Sequence, residues 1–498
     1  MNNLQPQSNQ LLWTKENLND PVFFIETFFN CKLWDKQKEI AYSVRDNRIT
    51  AVRSCHSSGK SFDVARIGAW FLQTKKDSKV LTTAPSWTQV KEILWREIHS
   101  AINSLNEVDP SFKFAGKLLE TKWDIAPDWF AIGLATKKEG EASEVAGRML
   151  GFHSKTGEML IIIDEGSGVL EPIWGAIETL MTSAGAKLLA IGNPYRITGG
   201  FARLFKQEGV NKIWIQDTDI PNIKENRIIF PGLMSPDYPI EMAKKYGVDS
   251  PIYQVKVKGN FPKSETDTLI PLDHIEDAFL RDVVVNEVEK RKLGVDVARY
   301  GHNFTVFVVR QGKKVLYKLK VSKEDTMQTA GRILVVMRDW QVKDIDVNID
   351  DIGIGGGVVD RLQEKGLKVN GVNVGVSANN IEHFANLRAE LYWIVREWIK
   401  DAGIIKDDDF YQLSNIKYKW RSEKAGQLII EGKDEMKKRG LESPDVADAL
   451  MLTFAGGGYQ PFPEQQKINK EESRINDAPE RIERKDTPFT GGLMDKEF

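Results

Sequence analysis

The chain has 498 residues, a length that predicts roughly two to four domains rather than a single hydrophobic core. Its 69 Lys and Arg residues nearly balance its 71 Asp and Glu residues, so the formal net charge at pH 7 is -2. This balance excludes a protein that is basic over its whole surface, but it allows a local basic groove for nucleic acid.

The N-terminal sequence and the cysteine count predict the compartment. Residues 1–13 are polar and lack the basic-then-apolar order of a signal peptide. Cys31 and Cys55 are the two cysteines, which excludes a disulfide framework and predicts a reducing cytoplasm. No apolar run approaches the roughly 18 to 20 residues of a membrane span, so we expect no membrane partner.

The first predicted element is a helix, and a polar segment follows it. Four phenylalanines are spaced to form one apolar helix face, namely Phe23, Phe24, Phe28 and Phe29. Residues 33–37 then read Leu-Trp-Asp-Lys-Gln. The side chain of Gln37 either reads the edge of an adenine ring, with Trp34 packed beside it, or belongs to the surface of an amphipathic helix.

Residues 52–61 predict a loop that binds phosphate. A short apolar run precedes them, a predicted helix over residues 62–72 follows, and residues 59–61 read Gly-Lys-Ser. In this motif the backbone N–H groups of small residues wrap the phosphates, the lysine contacts the terminal phosphates and the serine hydroxyl binds Mg²⁺. Ser54 stands where the motif usually begins with glycine, and the alternative is a polar turn that caps an ordinary helix. The candidate nucleotide contacts are Arg53, Ser57, Ser58, Gly59, Lys60 and Ser61.

Strands and helices then alternate along the chain. Residues 79–85 form a predicted strand that ends at a proline, and Ser86 is a candidate N-cap for the next helix. Residues 123–133 and 158–163 continue the alternation. This order predicts an α/β fold with a mostly parallel sheet and helices on its faces.

Two predicted strands end in polar residues. Five apolar residues at 159–163 precede Asp164 and Glu165, which would bind Mg²⁺ through water and polarise the attacking water, unless they form a solvated turn. A second strand, over residues 187–191, leads to Asn193, which either senses the terminal phosphate or makes the turn with the next proline. Arg148, which lies shortly before the strand at 159–163, is either an arginine finger for a neighbouring subunit or a surface ion-pair partner.

The second half of the chain repeats the alternation after an interruption. Prolines between residues 220 and 271 predict a small subdomain and linker. Strands are then predicted over residues 293–298, 304–309, 315–321 and 344–350, with a helix over residues 325–339. Residues 442–450 open a helix that carries Asp445 and Asp448 on one face. The polar tail over residues 458–498 is predicted to be disordered.

The acidic residues of this second half predict a metal site. Asp296 lies in an apolar strand, where a lone carboxylate is costly, and Asp350 and Asp351 end another strand. Carboxylates suit Mg²⁺ or Mn²⁺, and two such ions can cleave a phosphodiester. The alternative is a set of strand-end and helix-end caps. The sequence does not choose between Asp350 and Asp351, or between Asp445 and Asp448, as the main ligand.

In their order, these motifs resemble the large subunit of tailed-bacteriophage terminases, the DNA-packaging motors. The resemblance covers roughly residues 30–455. It depends on the loop at 53–61, Thr-Ala-Pro-Ser at 83–86, the acid-tipped strand at 160–165, Gly-Asn-Pro at 192–194, the acids at 296 and 350, and residues 443–450. Loops without the first glycine are common in that family, so Ser54 agrees with it.

The resemblance implies a fold and a set of roles. It divides the chain into a P-loop motor ATPase domain (1–220), a small subdomain and linker (221–270), a ribonuclease-H-like endonuclease domain (271–457) and the tail (458–498). It places Gln37 beside the adenine and Asn193 in a segment that couples hydrolysis to movement. The nuclease carboxylates would be Asp296, Asp350, Asp445 and Asp448. Family members often carry a further acid where this chain has Asn303.

The implied function is viral genome packaging. It combines ATP-driven translocation of double-stranded DNA into a procapsid with metal-dependent cleavage of concatemeric DNA. The implied cofactors are ATP, Mg²⁺ at the ATPase site and two Mg²⁺ or Mn²⁺ at the nuclease site. The implied partners are double-stranded DNA, the small terminase subunit, the portal protein and further copies of this chain in a ring, in the host cytoplasm.

Two other functions fit parts of the pattern. A helicase-like or repair ATPase fused to a nuclease would need strand-separation motifs, and residues 220–271 contain none that we recognise. A catalytically inactive scaffold would tolerate degenerate sites, but Lys60, Glu165 and the nuclease acids are all present.

Overall fold

An eight-stranded sheet, in which six neighbouring strands are parallel, occupies the first half of the protein. The computed structural model describes residues 14–108, 114–135, 142–152, 157–262, 267–298, 304–421 and 426–456. The strands lie in the order β3-β4-β5-β2-β6-β7-β1-β8. Their bounds are β1 Ile49–Ser54, β2 Lys79–Thr83, β3 Lys117–Leu118, β4 Lys122–Ala126, β5 Trp129–Leu134, β6 Met159–Ile163, β7 Ala186–Gly192 and β8 Asn211–Ile215.

Helices cover both faces of this sheet, so its central strands are buried. Along β6, Leu160 and Ile162 join the core on one face, while Ile161 and Ile163 join the core on the other. A π-helical segment, Gln89–Trp95, precedes α5, and 3₁₀ turns lie at Gly166–Gly168 and Asp217–Asp219. The helices are α1 Lys15–Asn19, α2 Pro21–Phe28, α3 Asp35–Asp46, α4 Lys60–Thr74, α5 Arg96–Val108, α6 Ala142–Leu150, α7 Glu171–Leu180, α8 Gly199–Leu204, α9 Pro221–Lys224, α10 Tyr238–Tyr246 and α11 Pro251–Lys256.

The predicted α/β class and mostly parallel sheet are confirmed, with one correction. Residues 123–133 were expected to continue the strand–helix alternation, but they form the antiparallel hairpin of β4 and β5. The reason is local, because Pro127 and Asp128 make a turn between two short apolar runs. Helices α9 to α11 occupy the stretch predicted as a small subdomain and linker.

A mixed five-stranded sheet forms the core of the second half. Its order is β11-β10-β9-β12-β13, in which β10 is antiparallel to both β11 and β9, β12 is parallel to β9, and β13 is parallel to β12. This agrees with the predicted ribonuclease-H-like fold. The strands are β9 Arg291–Asp296, β10 Thr305–Gln311, β11 Lys314–Val321, β12 Val347–Asp350 and β13 Asn370–Val372, and a separate hairpin contains β14 Tyr418–Arg421 and β15 Gln427–Ile430.

Helices of the second half pack on both faces of the mixed sheet. Residues of α13 and α14 share an apolar core with β9, β10 and β12, and α17 packs on the other face of β9. The 3₁₀ segments are Asp344–Asp346 and Asp408–Asn415. The helices are α12 Leu272–Leu280, α13 Thr326–Asp339, α14 Gly355–Glu364, α15 Leu387–Trp398, α16 Lys433–Lys438 and α17 Asp445–Leu452.

Charged contacts join the two halves. Lys256 on α11 lies 2.8 Å from Asp408, and Lys245 on α10 lies 2.7 Å from Asp409. Asp409 also lies 2.7 Å from Lys318 on β11. The described residues up to Gly456 accordingly form one compact unit.

The domain limits drawn from the sequence stay a prediction. The tail over residues 458–498, predicted to be disordered, and Asn303 lie outside the described residues. Within the described ranges, no helix is long and apolar enough to cross a bilayer.

Gly294 lets α17 lie directly against β9. A Cβ atom at this position would come within 2.1 Å of the Ala449 carbonyl oxygen and 2.9 Å of the Thr453 backbone nitrogen. Both of these are backbone atoms, which cannot rotate away as a side chain does. Glycine at 294 therefore determines how closely the acidic helix approaches the strand that ends at Asp296.

We expect Gly294→Ala to lower the free energy of unfolding by about 1–3 kcal/mol, because the methyl group forces the helix and strand apart. Denaturant titration measures the change. Gly331→Ala is the control, since Gly331 lies in α13 with nothing within 4 Å of the added Cβ. That variant is expected to be about 0.5–1 kcal/mol more stable, and equal stability of the two variants contradicts the packing argument.

Candidate nucleotide and metal sites

The predicted phosphate loop connects the end of β1 to the start of α4. Ser57 and Gly59 have positive φ angles of 47° and 77°. A Cβ on Gly59 would lie 2.8 Å from Gln37 Nε2, so both the backbone angle and the available space favour glycine there. Ser54 is not among the residues with positive φ. The usual first glycine is therefore dispensable in this loop.

The loop has an internal hydrogen bond and leaves backbone donors available. Ser58 Oγ donates to Ser54 Oγ at 3.3 Å, and both side chains are buried. Among the described residues, the backbone N–H groups of Ser57, Ser58 and Gly59 donate to no protein acceptor. Successive free N–H groups at a helix N-terminus form an anion-binding cradle. The geometry fits the phosphates of a nucleotide.

The acids after β6 lie against this loop. Ser61 Oγ donates to Asp164 Oδ2 at 2.8 Å, and Lys60 Nζ lies 3.7 Å from Glu165 Oε1. Burial and the neighbouring Glu165 raise the pKa of Asp164 to about 6, while Ser61 and Lys60 oppose the rise. The serine hydroxyl and the carboxylate thus converge at one point, as the ligands of a hard cation would.

Asn193 completes this cluster from the end of β7. Lys60 Nζ donates to Asn193 Oδ1 at 3.2 Å, and Asn193 Nδ2 donates to the Ser54 carbonyl at 2.6 Å. Both ends of the amide are therefore used within the phosphate loop. The arrangement agrees with a residue that contacts the site, and the Tyr195 backbone N–H also donates to the Asn193 carbonyl at 3.0 Å, across Pro194.

Glu165 has a strained backbone. Its φ and ψ are 52° and 49°, in the left-handed region that non-glycine residues rarely adopt. Gly192 passes so close that a Cβ would lie 2.8 Å from the Gly166 backbone nitrogen. The end of β7 thus holds this turn in place and fixes the direction of the Glu165 side chain.

Gln37 connects the loop to a cavity of about 460 Å³. Its Oε1 accepts from the Trp34 backbone N–H at 3.3 Å, and its Nε2 donates to the Gly59 carbonyl at 3.2 Å. Sequence reasoning missed the opposite wall of the cavity, which residues 230–233 form. The Met234 backbone N–H donates to the Ser57 carbonyl and attaches this wall to the loop. No sequence signal marks the wall, because its stretch is interrupted by prolines.

The structure does not bring the two candidate arginines into this cleft. The Arg53 guanidinium stacks on Trp214, 4.5 Å from the ring centroid, and lines a different cavity. The aromatic ring of β8 holds the side chain in this position, and the phosphate or sensing contact of Arg53 stays a prediction. Arg148 is exposed on α6 and does not line the cleft around Lys60.

The predicted nuclease carboxylates line a second cavity, of about 550 Å³. Asp296 ends β9, Asp350 ends the adjacent strand β12, and Asp445 and Asp448 project from α17 above them. Asp351 is exposed and lies against Gly371 instead. Of Asp350 and Asp351, Asp350 therefore faces the cavity and Asp351 does not. Asp445 and Asp448, the two acids of the helix, both face it.

Three residues that sequence reasoning missed surround Asp448. Lys433 Nζ lies 2.8 Å from Asp448 Oδ2, Tyr392 donates to Oδ1 at 2.5 Å, and Arg388 lies 3.5 Å from Oδ1. Burial favours a higher pKa for Asp448, but Lys433 and Arg388 outweigh it, so the pKa is lowered. These residues come from α15 and α16, and no motif spacing connects them to the acids.

The other carboxylates have raised pKa values. Burial raises the pKa of Asp296 well above its usual value, and the charges of the neighbouring aspartates add to this against Lys433. Burial also raises the pKa values of Asp350 and Asp445. Buried, mutually repelling carboxylates need a compensating cation. Lys433 supplies part of that charge.

The carboxylate oxygens of the four aspartates are ligands that suit a hard divalent ion. In this structure, however, the Lys433 ammonium group contacts two of these carboxylates. In the described part of the chain, no three Asp, Glu, His or Cys side chains are gathered closely enough to hold a metal ion. Lys433 Nζ lies 2.8 Å from Asp448 and 3.9 Å from Asp296. Metal binding to these two acids would displace the ammonium group.

Comparison with known proteins supports the resemblance noted in the sequence. A curated relative, the "probable terminase, large subunit" of Enterobacteria phage P7, is 24% identical over 466 residues, which cover 89% of this chain and 92% of that protein. No protein-family model matches the chain.

Two solved structures are also similar to this chain. The large terminase of a thermophilic bacteriophage has 13% identity and a TM-score of 0.40, and the match covers 86% of this chain and 100% of that one. The nuclease domain of the large terminase subunit gp2 of bacterial virus Sf6 has 19% identity and a TM-score of 0.34. That match covers 38% of this chain and 100% of the nuclease domain.

Lys433→Ala is expected to strengthen Mn²⁺ binding, because the ion no longer competes with an ammonium group for Asp296 and Asp448. The gain is on the order of 1 kcal/mol, or about fivefold in affinity, as for neighbouring charged groups in general. Calorimetric titration with Mn²⁺ measures it. Lys419→Ala is the control, because Lys419 lines the same cavity but pairs with Glu435. An unchanged or weaker affinity in Lys433→Ala argues against the competition.

Proposed function

We infer that this chain belongs to the large-subunit family of tailed-phage terminases and is an ATPase and endonuclease of viral DNA packaging. The order of its motifs and its similarity to the phage P7 protein over most of both chains support this assignment. The observation that carries it is the convergence of Lys60, Ser61, Asp164 and Glu165 at one edge of a parallel sheet. The same chain also contains a second cavity, which is lined by carboxylates.

The proposed ATPase site uses residues from three strand ends. The backbone N–H groups of residues 57–59 and the ammonium group of Lys60 bind the phosphates. Ser61 would bind Mg²⁺ through its hydroxyl and Asp164 would hold it through water, and the ion would neutralise phosphate charge. Glu165 leaves its contact with Lys60 and orients the attacking water. Asn193 contacts the lysine and couples its position to β7.

Two further assignments complete the nucleotide site. Gln37 and the wall at residues 230–233 would enclose the base, since they line one cavity with the phosphate loop. Arg148 is proposed as a finger that acts on the nucleotide of a neighbouring subunit, because its exposed side chain is available to another chain.

The proposed nuclease site lies in the second cavity. Asp296, Asp350, Asp445 and Asp448 would hold two Mg²⁺ or Mn²⁺ ions, which supply Lewis-acid chemistry at the phosphodiester. Tyr392 and Arg388 hold Asp448 in position from behind. Lys433 occupies the space between the acids until the ions bind.

The proposed partners follow from this role. The chain acts on double-stranded DNA in the host cytoplasm and works with the small terminase subunit and the portal protein of the procapsid. A homo-oligomeric ring would bring Arg148 to a neighbouring nucleotide. The proposed limits are residues 1–220 for the motor, 221–270 for the linker subdomain and 271–457 for the nuclease.

The direct test is incubation of the purified chain with plasmid and Mg²⁺ or Mn²⁺, with and without EDTA, and a parallel assay of ATP hydrolysis. Metal-dependent cleavage together with DNA-stimulated ATPase activity supports the proposal. Unwinding of a short duplex would instead support a helicase-like ATPase fused to a nuclease.

Glu165→Gln is expected to leave ATP binding intact and to lower the hydrolysis rate by about 10²–10⁴-fold, because the amide cannot take up a proton from water. Fluorescent-nucleotide binding and phosphate release measure the two effects. The exposed Glu171, which pairs with Arg203, provides the control Glu171→Gln. Normal turnover in Glu165→Gln excludes the water-orienting role.

Asp296→Asn is expected to reduce Mn²⁺-dependent plasmid cleavage by about 100-fold or more while the ATPase rate stays unchanged. The neighbouring but exposed acid gives the control, Asp351→Asn, which should cut normally. Loss of both activities in Asp296→Asn would contradict two independent sites, and equal loss in both variants would contradict the choice of ligands.

A further inference from the structure

A third cavity, of about 460 Å³, lies beside β8, the edge strand of the eight-stranded sheet. Lys212 and Trp214 alternate along β8 with the buried Ile213, so both point to one face of the sheet. On the neighbouring strand, Arg53 is the register partner of Trp214. This cavity shares no lining residue with the two cavities that contain Lys60, and it is therefore separate from the proposed ATPase site.

The cavity is lined by positive charge. Arg53, Lys206 and Lys212 line it, and no described carboxylate does. Both lysines are exposed, and neither pairs with an acid among the described residues. The half-buried Arg53 guanidinium makes one hydrogen bond within the described part of the chain, to Asn260 Oδ1 at 3.3 Å. Burial lowers the pKa of Arg53, but a guanidinium stays protonated in proteins. Three cations without a counter-charge favour an anionic ligand.

Aromatic rings line the same cavity. The Arg53 guanidinium lies 4.5 Å from the ring centroid of Trp214 and 5.9 Å from that of Phe261. Phe205 packs edge-on against Phe261, with the ring centroids 5.3 Å apart. Trp214 Nε1 donates to the Lys258 carbonyl at 2.7 Å, which fixes the indole, yet 38% of this residue is exposed. The exposed part offers a flat surface on which another ring can stack.

This combination of groups fits a nucleotide better than an inorganic anion. A nucleotide presents a phosphate to the cations and a flat base to the aromatic ring, which is how proteins bind unpaired nucleic-acid strands. The cavity volume also lies within the roughly 300–1,000 Å³ of pockets that bind small ligands. Duplex DNA fits less well, because its paired and stacked bases are not available to the indole of Trp214.

We propose that this cavity binds one nucleotide unit, which is either a free nucleotide or part of a single nucleic-acid strand. The phosphate lies among Arg53, Lys206 and Lys212, and the base stacks on the exposed part of Trp214. The site is additional to the phosphate loop. The inference goes beyond the proposed function and does not depend on it, because it uses neither Lys60 nor the nuclease carboxylates.

Calorimetric titration of the full-length chain with thymidine monophosphate in EDTA tests the proposal. The nucleotide should bind about fivefold or more tightly than 2-deoxyribose 5-phosphate, which has the same phosphate but no base to stack. The double variant Lys206→Ala/Lys212→Ala should bind the nucleotide about tenfold more weakly, because two charged contacts to the phosphate are lost. Its rates of ATP hydrolysis and plasmid cleavage should stay unchanged.

The matched control is Lys76→Ala/Lys365→Ala. It also removes two exposed lysines, but neither lines any of the cavities described above. This variant should bind thymidine monophosphate as the unaltered protein does. A single-stranded thymidylate hexanucleotide distinguishes the two sources of the ligand. Tighter binding of the hexanucleotide than of the monophosphate assigns the site to a strand, whereas equal or weaker binding assigns it to a free nucleotide.

Four results would overturn the inference. They are no binding of either ligand, unchanged affinity in Lys206→Ala/Lys212→Ala, an equal loss in the control variant, and equal affinity for the nucleotide and the sugar phosphate. Absence of ATP hydrolysis and plasmid cleavage in the unaltered protein would instead overturn the proposed function alone.

Discussion

The contact between Ser61 and Asp164 depends on the parallel packing of β1, β7 and β6. These strands lie side by side in the order β6-β7-β1, so their carboxyl ends meet at one edge of the sheet. The phosphate loop follows β1, the acids follow β6, and Asn193 follows β7. The antiparallel hairpin of β4 and β5 lies beyond β2 and does not disturb this edge. The proposed hydrolysis chemistry is thus a consequence of strand order.

The second site depends on a balance of charge rather than on strand ends alone. Gly294 lets α17 lie close to β9, which crowds four aspartates around one cavity. Burial, together with the charges of the neighbouring aspartates, raises the pKa of Asp296, while Lys433 and Arg388 outweigh burial and lower the pKa of Asp448. Asp448 is therefore favoured in its ionised form. In the proposed metal site, divalent ions would supply the positive charge that the other carboxylates need.

The two sites are connected by a polar junction. Asp408 and Asp409 pair with lysines of α10, α11 and β11, and burial of Asp409 is outweighed by its lysines, which lower its pKa. Part-buried charge pairs hold relative orientation more specifically than apolar contact, because each pair has only a few favourable geometries. The Lys256 carbonyl also accepts from the His56 N–H at 2.8 Å, so one residue of this junction contacts both the phosphate loop and Asp408.

Local patterns in the sequence predicted the loop at 59–61, the five apolar residues of β6 and the acids at 164, 296, 445 and 448, because the signals for each lie within a few neighbouring residues. The hairpin at 122–134 was misread, since a Pro-Asp turn and a loop that leads to a helix look alike in a polar stretch. Only the tertiary structure placed Asp350 in the cavity and Asp351 outside it. It also showed that Arg53 lies on Trp214 and that Lys433 contacts the acids. Finally, it placed residues 230–233 beside the phosphate loop. These contacts join residues far apart in the chain, and their geometry depends on how the strands and helices pack rather than on any local period.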